Sequence, residues 1–488
     1  MIEKKWPEAI QYLQTVIEDK GDQCCDTEYK DLGKCLRFEG DYDKALTILK
    51  KGIELFPQST ALYSEMFTLY SVQNKWEDAK CTAETLIELE PEAWEHYYKL
   101  GRSYNFLKKP DLASSYFITA LEKMHNSKID DLINGVKQSI DKDPSAIVSR
   151  YVFMGGKNNL GSIEHVQAHP KPTKIYLTKI VDAKKKREQL FYTKACEEYP
   201  QLKSISPKLI SIVQFKHTSF ITTEKIIGQK PDKSHLDVVV RGIKKNVSTI
   251  KFREGMNDFL NIPNYRLNLK KKRSQSVLHF FSGIHKEATN KRLFMLLKKQ
   301  LDSTKYSPEI FSLIQRLEHI IMDLELYNKV KPMEHYAFLH GDFGPHNILI
   351  EDSTNNPYLL DWNSYTTGPI YFDMANLFVK FNLSFQEIDS LCSKLLNADN
   401  EMDNIDKILF FYALLIIWFQ SSGRKKLDKA YSKCLLPAIE CLEFFALQEV
   451  DPEQKKRFLK HKKEQENLAK FRLLKHRFTG FFKTFKGR

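Results

Sequence analysis

Two patterns of apolar residues divide the chain. Up to about residue 140, apolar positions recur every three or four residues, as they do on amphipathic helices. From Ala146 onward, short β-branched segments alternate apolar and polar residues, which predicts strands, and helical periodicity returns at Ser276. The chain has 488 residues, which is too long for one ordinary domain, so we expect two or three domains.

A repeat of 34 residues runs through the helical part. The three units, aligned from Asp26, Thr60 and Trp94, share an aromatic fourth position, a large apolar seventh position and an alanine at the twentieth. These residues are Tyr29, Tyr63 and Tyr97, then Leu32, Met66 and Leu100, then Ala45, Ala79 and Ala113. Gly33 and Gly101 occupy the eighth position, where a small residue lets paired helices approach each other closely.

This pattern resembles the tetratricopeptide repeat. The resemblance implies a helical solenoid over residues 1–125, followed by a connecting helix or linker over residues 126–145. The segment beginning at Trp6 resembles the one beginning at Trp76, so we expect the chain to open with the second helix of a partial repeat. Such stacks bind a peptide or a partner protein on their concave face. A spacer or solubilising cap without a ligand is the alternative.

The alternating pattern predicts five strands between residues 146 and 228, with a helix after the third. We expect the strands at residues 148–154, 162–168, 174–181, 208–215 and 219–227, and the helix at residues 183–198. Residues 229–275 are irregular and charged, and we interpret them as an insertion or linker in a solvated loop.

Residues 276–450 are predicted to be a second, mainly helical lobe. Helices are expected at residues 276–288, 291–301 and 308–327. The longest apolar run, Ile408–Phe419, has twelve residues, fewer than the roughly 20 that span a bilayer. We therefore interpret it as a buried helix.

Three side chains with oxygen ligands lie close together in the second lobe: Asp342, Asn347 and Asp361. Apolar residues at 348–350 and 358–360 flank a segment rich in turn formers, which predicts a β-hairpin. Residues that face each other across antiparallel strands lie about 5 Å apart. The open end of the hairpin therefore brings Asn347 beside Asp361, close enough to share one or two Mg²⁺ ions.

The order of these residues, His-Gly-Asp at 340–342, then Asn347, then Asp361-Trp362, resembles the aminoglycoside phosphotransferase and choline kinase family, which has a protein-kinase-like fold. The resemblance implies ATP and Mg²⁺ as cofactors. It implies that Asp342 is the catalytic residue, which accepts the proton of an acceptor hydroxyl or orients it, and that Asn347 and Asp361 are Mg²⁺ ligands.

Two further residues are implied as structural support for this loop. His340 is expected to organise the loop rather than to act as a base. The segment 368–375 resembles the family's G-x-x-x-x-D-h-A pattern, in which Asp373 would cap a helix and hold the catalytic loop through backbone amides.

The resemblance also implies a nucleotide-binding half in residues 146–228. The turn at Gly155 and Gly156 would cover the phosphates, although it is equally typical of a hairpin. Lys179, on the third strand, would bind the α and β phosphates, and a surface lysine is the alternative. Main-chain groups from Glu224 to Ile226 would bind the adenine edge.

A carboxylate on the helix after the third strand is expected to orient Lys179. Glu188 lies in the early turns of that helix and is our candidate, whereas Glu197 lies near its end and is a poorer one.

The charge of the chain is concentrated at its C-terminus. The net charge is +13, and residues 455–488 contain thirteen Lys or Arg against two Glu, a net of +11. The remainder is close to neutral, which argues against the whole molecule being a nucleic-acid-binding protein. Eight cysteines without a C-x-x-C pair predict reduced thiols in a cytoplasmic protein, and no signal peptide is visible.

Residues 451–488 form a basic tail with an apolar stripe. The stripe recurs at three- and four-residue steps, as on one face of a helix, and consists of Leu468, Phe471, Leu474, Phe478, Phe482 and Phe485. Such a helix can lie on an anionic membrane surface. A helix that docks on a partner protein, an RNA-binding tail and a solvated tail remain alternatives.

Together these patterns predict a multidomain α and α+β protein: an α-helical repeat solenoid, a bilobal protein-kinase-like phosphotransferase domain and a basic amphipathic helix. We expect an ATP-dependent kinase that acts on a hydroxyl of a small molecule or glycan precursor. The sequence further suggests bacterial envelope-polysaccharide assembly at the inner face of the membrane. The alternatives are an inactive nucleotide-binding scaffold and a kinase that acts on an antibiotic or a protein.

Overall fold

The computed structural model describes residues 6–152, 159–167, 173–184, 186–262, 278–300, 307–395 and 402–463. The predicted turn at Gly155 and Gly156 and the tail from residue 464 onward lie outside the described residues. The described chain divides into two units. The first contains the residues up to Glu197 together with Ser206–Ile227, and the second contains Glu198–Ile205 and the residues from Gly228 onward.

The first unit begins with a succession of antiparallel helix pairs. The helices are α1 (Trp6–Lys20), α2 (Asp26–Glu39), α3 (Tyr42–Leu55), α4 (Thr60–Val72), α5 (Trp76–Leu89), α6 (Trp94–Phe106), α7 (Pro110–His125) and α8 (Ile129–Ile140). The first helix of each pair starts 34 residues after the previous one, at Asp26, Thr60 and Trp94. The predicted helical solenoid is therefore confirmed.

Small residues of the repeat lie where paired helices are closest. A Cβ atom added to Gly33 would lie 2.7 Å from the side chain of Leu49, and one added to Gly101 would lie 3.0 Å from the Phe117 ring. The repeated alanines Ala45, Ala79 and Ala113 are fully buried. The small residues that recur every 34 positions therefore lie at the contacts between paired helices.

The first helix packs as the second helix of a repeat. Trp6 in α1 stacks on Phe38 in α2 with ring centroids 4.8 Å apart. In the later repeat Trp76 stacks on Phe106 at 3.9 Å. The equivalent stacking explains why the segment at Trp6 resembles the segment at Trp76.

A five-stranded antiparallel sheet follows the helices. Its strands are β1 (Ile147–Val152), β2 (Asn159–Gln167), β3 (Lys174–Asp182), β4 (Leu209–Phe215) and β5 (Thr218–Glu224), in the order β1-β2-β3-β5-β4. After β3 the chain forms a helical segment made of α9 (Arg187–Leu190), a π-helical turn (Phe191–Ala195) and α10 (Cys196–Glu198). All five predicted strands and the intervening helix are present.

Of the two alternatives for residues 126–145, a connecting helix or a linker, the structure shows a packed helix, α8. Apolar residues on one face of α8 and apolar residues of three strands form a single core: Leu132, Ile133, Val136, Leu160, Ile163, Ile180 and Phe220, together with Leu121 of α7. A hydrogen bond of 2.7 Å joins the hydroxyls of Ser139 and Ser211. The last helices of the solenoid therefore cover one face of the sheet, and both belong to the first unit.

A chain of buried polar groups crosses that face of the sheet. The ring of His165 contacts the Ser149 hydroxyl through Nδ1 at 2.6 Å and the Thr178 hydroxyl through Nε2 at 2.8 Å. The Thr178 hydroxyl lies 2.8 Å from that of Thr222. The chain links β1, β2, β3 and β5, so every buried polar group in it has a partner.

We expect this network to make stability depend on pH. Burial lowers the pKa of His165 from 6.5 to about 4. Because the folded-state pKa lies below the unfolded value, the contribution of the neutral ring is complete above pH 6.5 and is lost as pH falls through about 4. The shift corresponds to about 3 kcal/mol at the acid limit.

Denaturant unfolding of the wild type and of His165→Gln at pH 7 and pH 4.5 tests this. The wild type should lose more free energy of unfolding on acidification than His165→Gln does. The exposed His217 provides the matched control, because His217→Gln should behave as the wild type. Equal acid sensitivity of all three proteins would contradict the prediction.

The second unit is mainly helical, with short strands. Its helices are α11 (Leu236–Asn246), α12 (Met256–Phe259), α13 (Leu278–Phe281), α14 (Glu287–Gln300), α15 (Pro308–Asp323), α16 (Pro332–His335), α17 (Phe372–Lys380), α18 (Phe385–Leu395), α19 (Asn404–Ser421), α20 (Arg424–Ala430) and α21 (Leu436–Ala446). Its strands are β6 (Gly228–Gln229), β7 (Tyr336–Leu339), β8 (Ile348–Glu351), β9 (Pro357–Leu359) and β10 (Thr366–Pro369). Residues 452–463 form a further helix.

The interpretation of residues 229–275 as a solvated insertion is wrong for α11. Leu236, Val239, Val240 and Ile243 of this helix are buried. These apolar residues recur at three- and four-residue steps, and charged residues lie between them. The sequence of this segment therefore contained the pattern of an amphipathic helix. Residues 263–277 lie outside the described part of the chain.

The longest apolar run forms the core helix α19. Within the described residues, α19 is the one helix that is long and apolar enough to cross a membrane, and 72% of this helix is buried inside the structure. Tyr412 on this helix is buried and donates a hydrogen bond of 2.9 Å to Asn290 Oδ1 of α14. These contacts are typical of a core helix.

Candidate active site

The loop after β7 is held by a buried carboxylate. β7 pairs with β10, and the chain then enters the loop at His340 and Gly341. The amide of His340 donates to Asp373 Oδ2 at 2.7 Å, and the amide of Gly341 donates to Asp373 Oδ1 at 3.1 Å. Gly341 has a φ of +84°, a conformation that glycine adopts without strain. Two hydrogen bonds from adjacent amides thus determine the direction of the loop.

Asp373 does not cap a helix. The N-cap of α17 is Tyr371, and Asp373 is the second residue of the helix itself. Its carboxylate points to the loop instead of to the amides of its own helix. Burial raises the pKa of Asp373 to about 7, and the two amide hydrogen bonds oppose that shift.

His340 is buried behind the loop. Its Nε2 lies 2.9 Å from the carbonyl oxygen of Leu360, which can only accept, so Nε2 carries the proton. Its ring packs on Trp362 with centroids 4.5 Å apart. Burial lowers the pKa of His340, so the ring is neutral near pH 7. This position suits a residue that joins the loop to the hairpin.

The hairpin brings Asn347 close to Asp361. β8 pairs with β9 in a register that places Ile348 opposite Leu359, and the Leu360 amide donates to the Asn347 carbonyl at 2.8 Å. Asn347 is buried, and its Nδ2 donates to the main-chain carbonyl of Asp342 at 2.9 Å. Asn347 therefore connects the hairpin to the loop that carries Asp342.

Asp361 adopts a strained backbone conformation at the end of the hairpin. Its φ is +59°, in the left-handed region, which costs about 1 kcal/mol or more for most residues but is tolerated by Asp and Asn. The side chain is exposed, and Asn363 Nδ2 donates to its Oδ1 at 2.5 Å. Strain at such a position is common where a side chain must be held for function.

Asp342 is half exposed and has a neighbour that sequence reasoning missed. Its side chain is 47% exposed, and Nε2 of His346 lies 3.6 Å from its Oδ2. His346 follows Asp342 by four residues, and a short 3₁₀ turn over Pro345–Asn347 brings the ring back. The four-residue spacing of Asp342 and His346 does not by itself predict this contact, because nothing in the sequence of the loop predicts a helical turn.

In the first unit, Lys179 and Glu188 form an ion pair. Lys179 Nζ donates to Glu188 Oε2 at 2.6 Å, and their side chains are 20% and 7% exposed. β3 positions the lysine and the first turn of α9 positions the glutamate. Glu197, the poorer candidate, is exposed.

The main chain at the end of β5 is partly used by the sheet. The amide of Glu224 donates to the Lys208 carbonyl and the amide of Lys225 donates to the Ile175 carbonyl, both at 2.9 Å. Ile226 lies two residues beyond Glu224, the last residue of β5. The role expected for Glu224 to Ile226 in adenine binding stays a prediction.

The residues at the end of the hairpin fit a Mg²⁺ ion. Asp361 would contribute a carboxylate. Asn347 would contribute its side-chain oxygen, because its nitrogen is used in the hydrogen bond to Asp342. Magnesium prefers oxygen ligands, and here every candidate donor is an oxygen.

Two family models match the chain. The model of the phosphotransferase enzyme family matches residues 282–405, and a tetratricopeptide repeat model matches residues 31–59. The chain contains a domain of the phosphotransferase enzyme family. The matched part of this phosphotransferase domain includes His340, Asp342, Asn347, Asp361 and Asp373.

Solved structures resemble parts of the chain. The choline kinase LicA from Streptococcus pneumoniae is 15% identical, over 64% of this chain and 98% of its own, with a TM-score of 0.35. An aminoglycoside-3'-phosphotransferase of type VIII is 14% identical, over 59% and 98%, with a TM-score of 0.33. The MamA RS-1 ArsTM double mutant is 18% identical, over 25% of this chain and 66% of its own, with a TM-score of 0.23.

All three TM-scores are below 0.5, so the assignment of the phosphotransferase and repeat domains comes from the family models. A search of curated proteins found no match.

Proposed function

We propose that this protein is an ATP- and Mg²⁺-dependent kinase that phosphorylates a hydroxyl group of a small molecule. The observation that carries the proposal is the arrangement inside the phosphotransferase match. Half-exposed Asp342 is joined through Asn347 to the hairpin that ends at Asp361. Phosphoryl transfer needs mainly a positioned nucleophile and stabilised charge, and these residue types supply both.

Each residue has a role in this proposal. Asp342 accepts the proton of the acceptor hydroxyl or orients that hydroxyl. Asn347 and Asp361 hold Mg²⁺, which neutralises charge on the phosphates when it is bound. His340 and Asp373 hold the loop in place, since they bond to Leu360 and to two loop amides.

The nucleotide-binding roles belong to the first unit. Lys179 binds the nucleotide phosphates, and Glu188 keeps its ammonium group in place through the 2.6 Å hydrogen bond. Gly155, Gly156 and the main chain from Glu224 to Ile226 complete the nucleotide site in the proposal.

We expect Glu188→Gln to lower kcat/KM for ATP about tenfold, because a hydrogen bond between charged groups contributes more than a neutral one. Glutamine keeps the length of the side chain and removes the charge that orients Lys179. Glu197→Gln is the control, since Glu197 is exposed on the same helical segment. Steady-state kinetics at varied ATP concentration measures both variants, and an equal loss in the two would refute the assignment of Glu188.

The acceptor is proposed to be a sugar, polyol or amino alcohol, free or attached to a glycan or lipid precursor. The repeats fit a protein partner. The basic residues 455–488 fit an anionic membrane surface. A cytoplasmic enzyme that works on an envelope-polysaccharide precursor at the inner face of the membrane would use both features.

Mass spectrometry tests the proposal. Soluble and lipid-linked hydroxyl compounds are incubated with Mg·ATP and the full chain, and an ATP-dependent mass gain of one phosphoryl group (HPO3) identifies the acceptor. The Asp342→Ala protein is the control and should form product at least about 10²-fold more slowly. A gain that is equal with both proteins would contradict the proposal, and so would the absence of any product across these classes.

A further inference from the structure

A buried histidine and two aspartates meet at the N-terminus of α19. His335 is the last residue of α16 and directly precedes β7, the strand that leads into the Asp342 loop. Its Nδ1 lies 3.4 Å from Asp406 Oδ1 and 3.6 Å from Asp403 Oδ2. One nitrogen and two carboxylate oxygens thus face one another within 4.8 Å.

An oxygen in this cluster lacks a hydrogen bond. Asp406 is 6% exposed, and among the described residues its Oδ1 has no hydrogen-bond partner. A buried carboxylate oxygen without a partner is costly, so such a group calls for an explanation.

The distances fit coordination better than hydrogen bonding. A hydrogen bond from nitrogen to oxygen is about 2.7–3.2 Å long, and both contacts of His335 Nδ1 are longer than that. Two ligands bound tetrahedrally at about 2.1 Å from an ion are about 3.4 Å apart. The separations of 3.4 Å and 3.6 Å match that geometry.

We propose that His335, Asp403 and Asp406 bind a divalent transition-metal cation of the Zn²⁺ class. Imidazole nitrogen together with carboxylate oxygen suits Zn²⁺ better than Mg²⁺, which prefers oxygen alone. The side chain of Asp403 is 57% exposed, so an ion can enter from solvent and keep a water molecule as its fourth ligand. On the other side of the ring, Glu334 Oε2 lies 3.9 Å from Nε2.

The ion would connect two elements that are separate in sequence. Asp403 is the N-cap of α19, with its Oδ1 accepting from the Asp406 amide at 2.7 Å, so its Oδ2 remains directed at His335. The bound ion would join the N-terminus of the core helix to the residue before β7. This site is distinct from the oxygen-only pair Asn347 and Asp361, and its existence does not depend on the proposed kinase activity.

Isothermal titration of the metal-stripped full chain with Zn²⁺, in excess Mg²⁺, tests the proposal. Asp403→Asn is the decisive variant, because asparagine is an equally good N-cap and removes only the ligand charge. Both Asp403→Asn and His335→Gln should weaken one Zn²⁺ site at least tenfold. Circular dichroism shows whether each variant is folded, and Asp403→Asn decides the outcome if His335→Gln is not.

A surface cluster of similar composition provides the control. Asp323 Oδ2 lies 2.9 Å from His319 Nδ1 and 3.6 Å from His461 Nδ1, and all three side chains are partly exposed. The double variant His319→Gln, His461→Gln should leave the Zn²⁺ site at Asp403 within about twofold of the wild type. The proposal is overturned if Asp403→Asn binds Zn²⁺ as the wild type does, or if no saturable binding occurs.

Discussion

Asp342→Asn should reduce phosphoryl transfer by about 10²- to 10⁴-fold, the range for loss of a positioned general base. Asparagine keeps the size of the side chain and cannot take a proton. The main-chain carbonyl of Asp342, which accepts from Asn347 Nδ2, is unaffected by the change. The loop should therefore keep its shape while transfer is lost.

The same variant should bind Mg·ATP with nearly the affinity of the wild type, because Asp342 is not among the proposed metal or nucleotide ligands. Product formation at saturating ATP and equilibrium titration with Mg·ATP measure the two effects separately. Asp352→Asn removes an exposed carboxylate in the turn of the neighbouring hairpin and is the matched control. Transfer by Asp342→Asn at the rate of Asp352→Asn would rule out the catalytic assignment.

Asp361→Asn should weaken binding of Mg·ATP by about 10- to 100-fold or more, since even outer residues of metal sites have effects of that size. The reason is the loss of a charged ligand for the ion. Asparagine tolerates the left-handed φ of +59°, so the end of the hairpin should not be displaced.

The Mg²⁺ dependence of nucleotide binding distinguishes the loss of a metal ligand from a general loss of structure in the variant. Nucleotide titrations with and without Mg²⁺ should differ strongly in the wild type and in Asp352→Asn, but little in Asp361→Asn. If Asp361→Asn binds Mg·ATP as tightly as the wild type, the carboxylate is not a metal ligand.

Local patterns predicted the elements that depend on neighbouring residues. The hairpin of β8 and β9 was predictable because apolar strands enclose a dense run of turn formers between Glu351 and Pro357. The solenoid was predictable because the same residue types recur at the same positions every 34 residues, so three units show the same pattern. Lys179 and Glu188 were predictable as a pair from the resemblance, which specifies a strand followed by a helix.

Other features depended on contacts between distant segments. The apolar face of α8 has the same pattern as a helix that ends a stack, and only the structure shows that it packs on the β-sheet. The resemblance implied that Asp373 caps a helix and holds the loop; its carboxylate does accept from the loop amides of His340 and Gly341, but the N-cap of α17 is Tyr371. The proximity of His346 to Asp342 likewise depends on the path of an irregular loop.

The sequence by itself determined the helical repeats, the five-stranded sheet, the hairpin and the residue types of a phosphotransferase site. Helix and strand periodicity and turn-forming residues depend on neighbours in the sequence, so these elements can be predicted from the sequence alone. The tertiary structure alone decided that the solenoid and the sheet share a core. It also decided that His335 lies beside Asp403 and Asp406, which are about 70 positions away in the sequence. These contacts form only when distant segments pack together, and no short-range pattern specifies them.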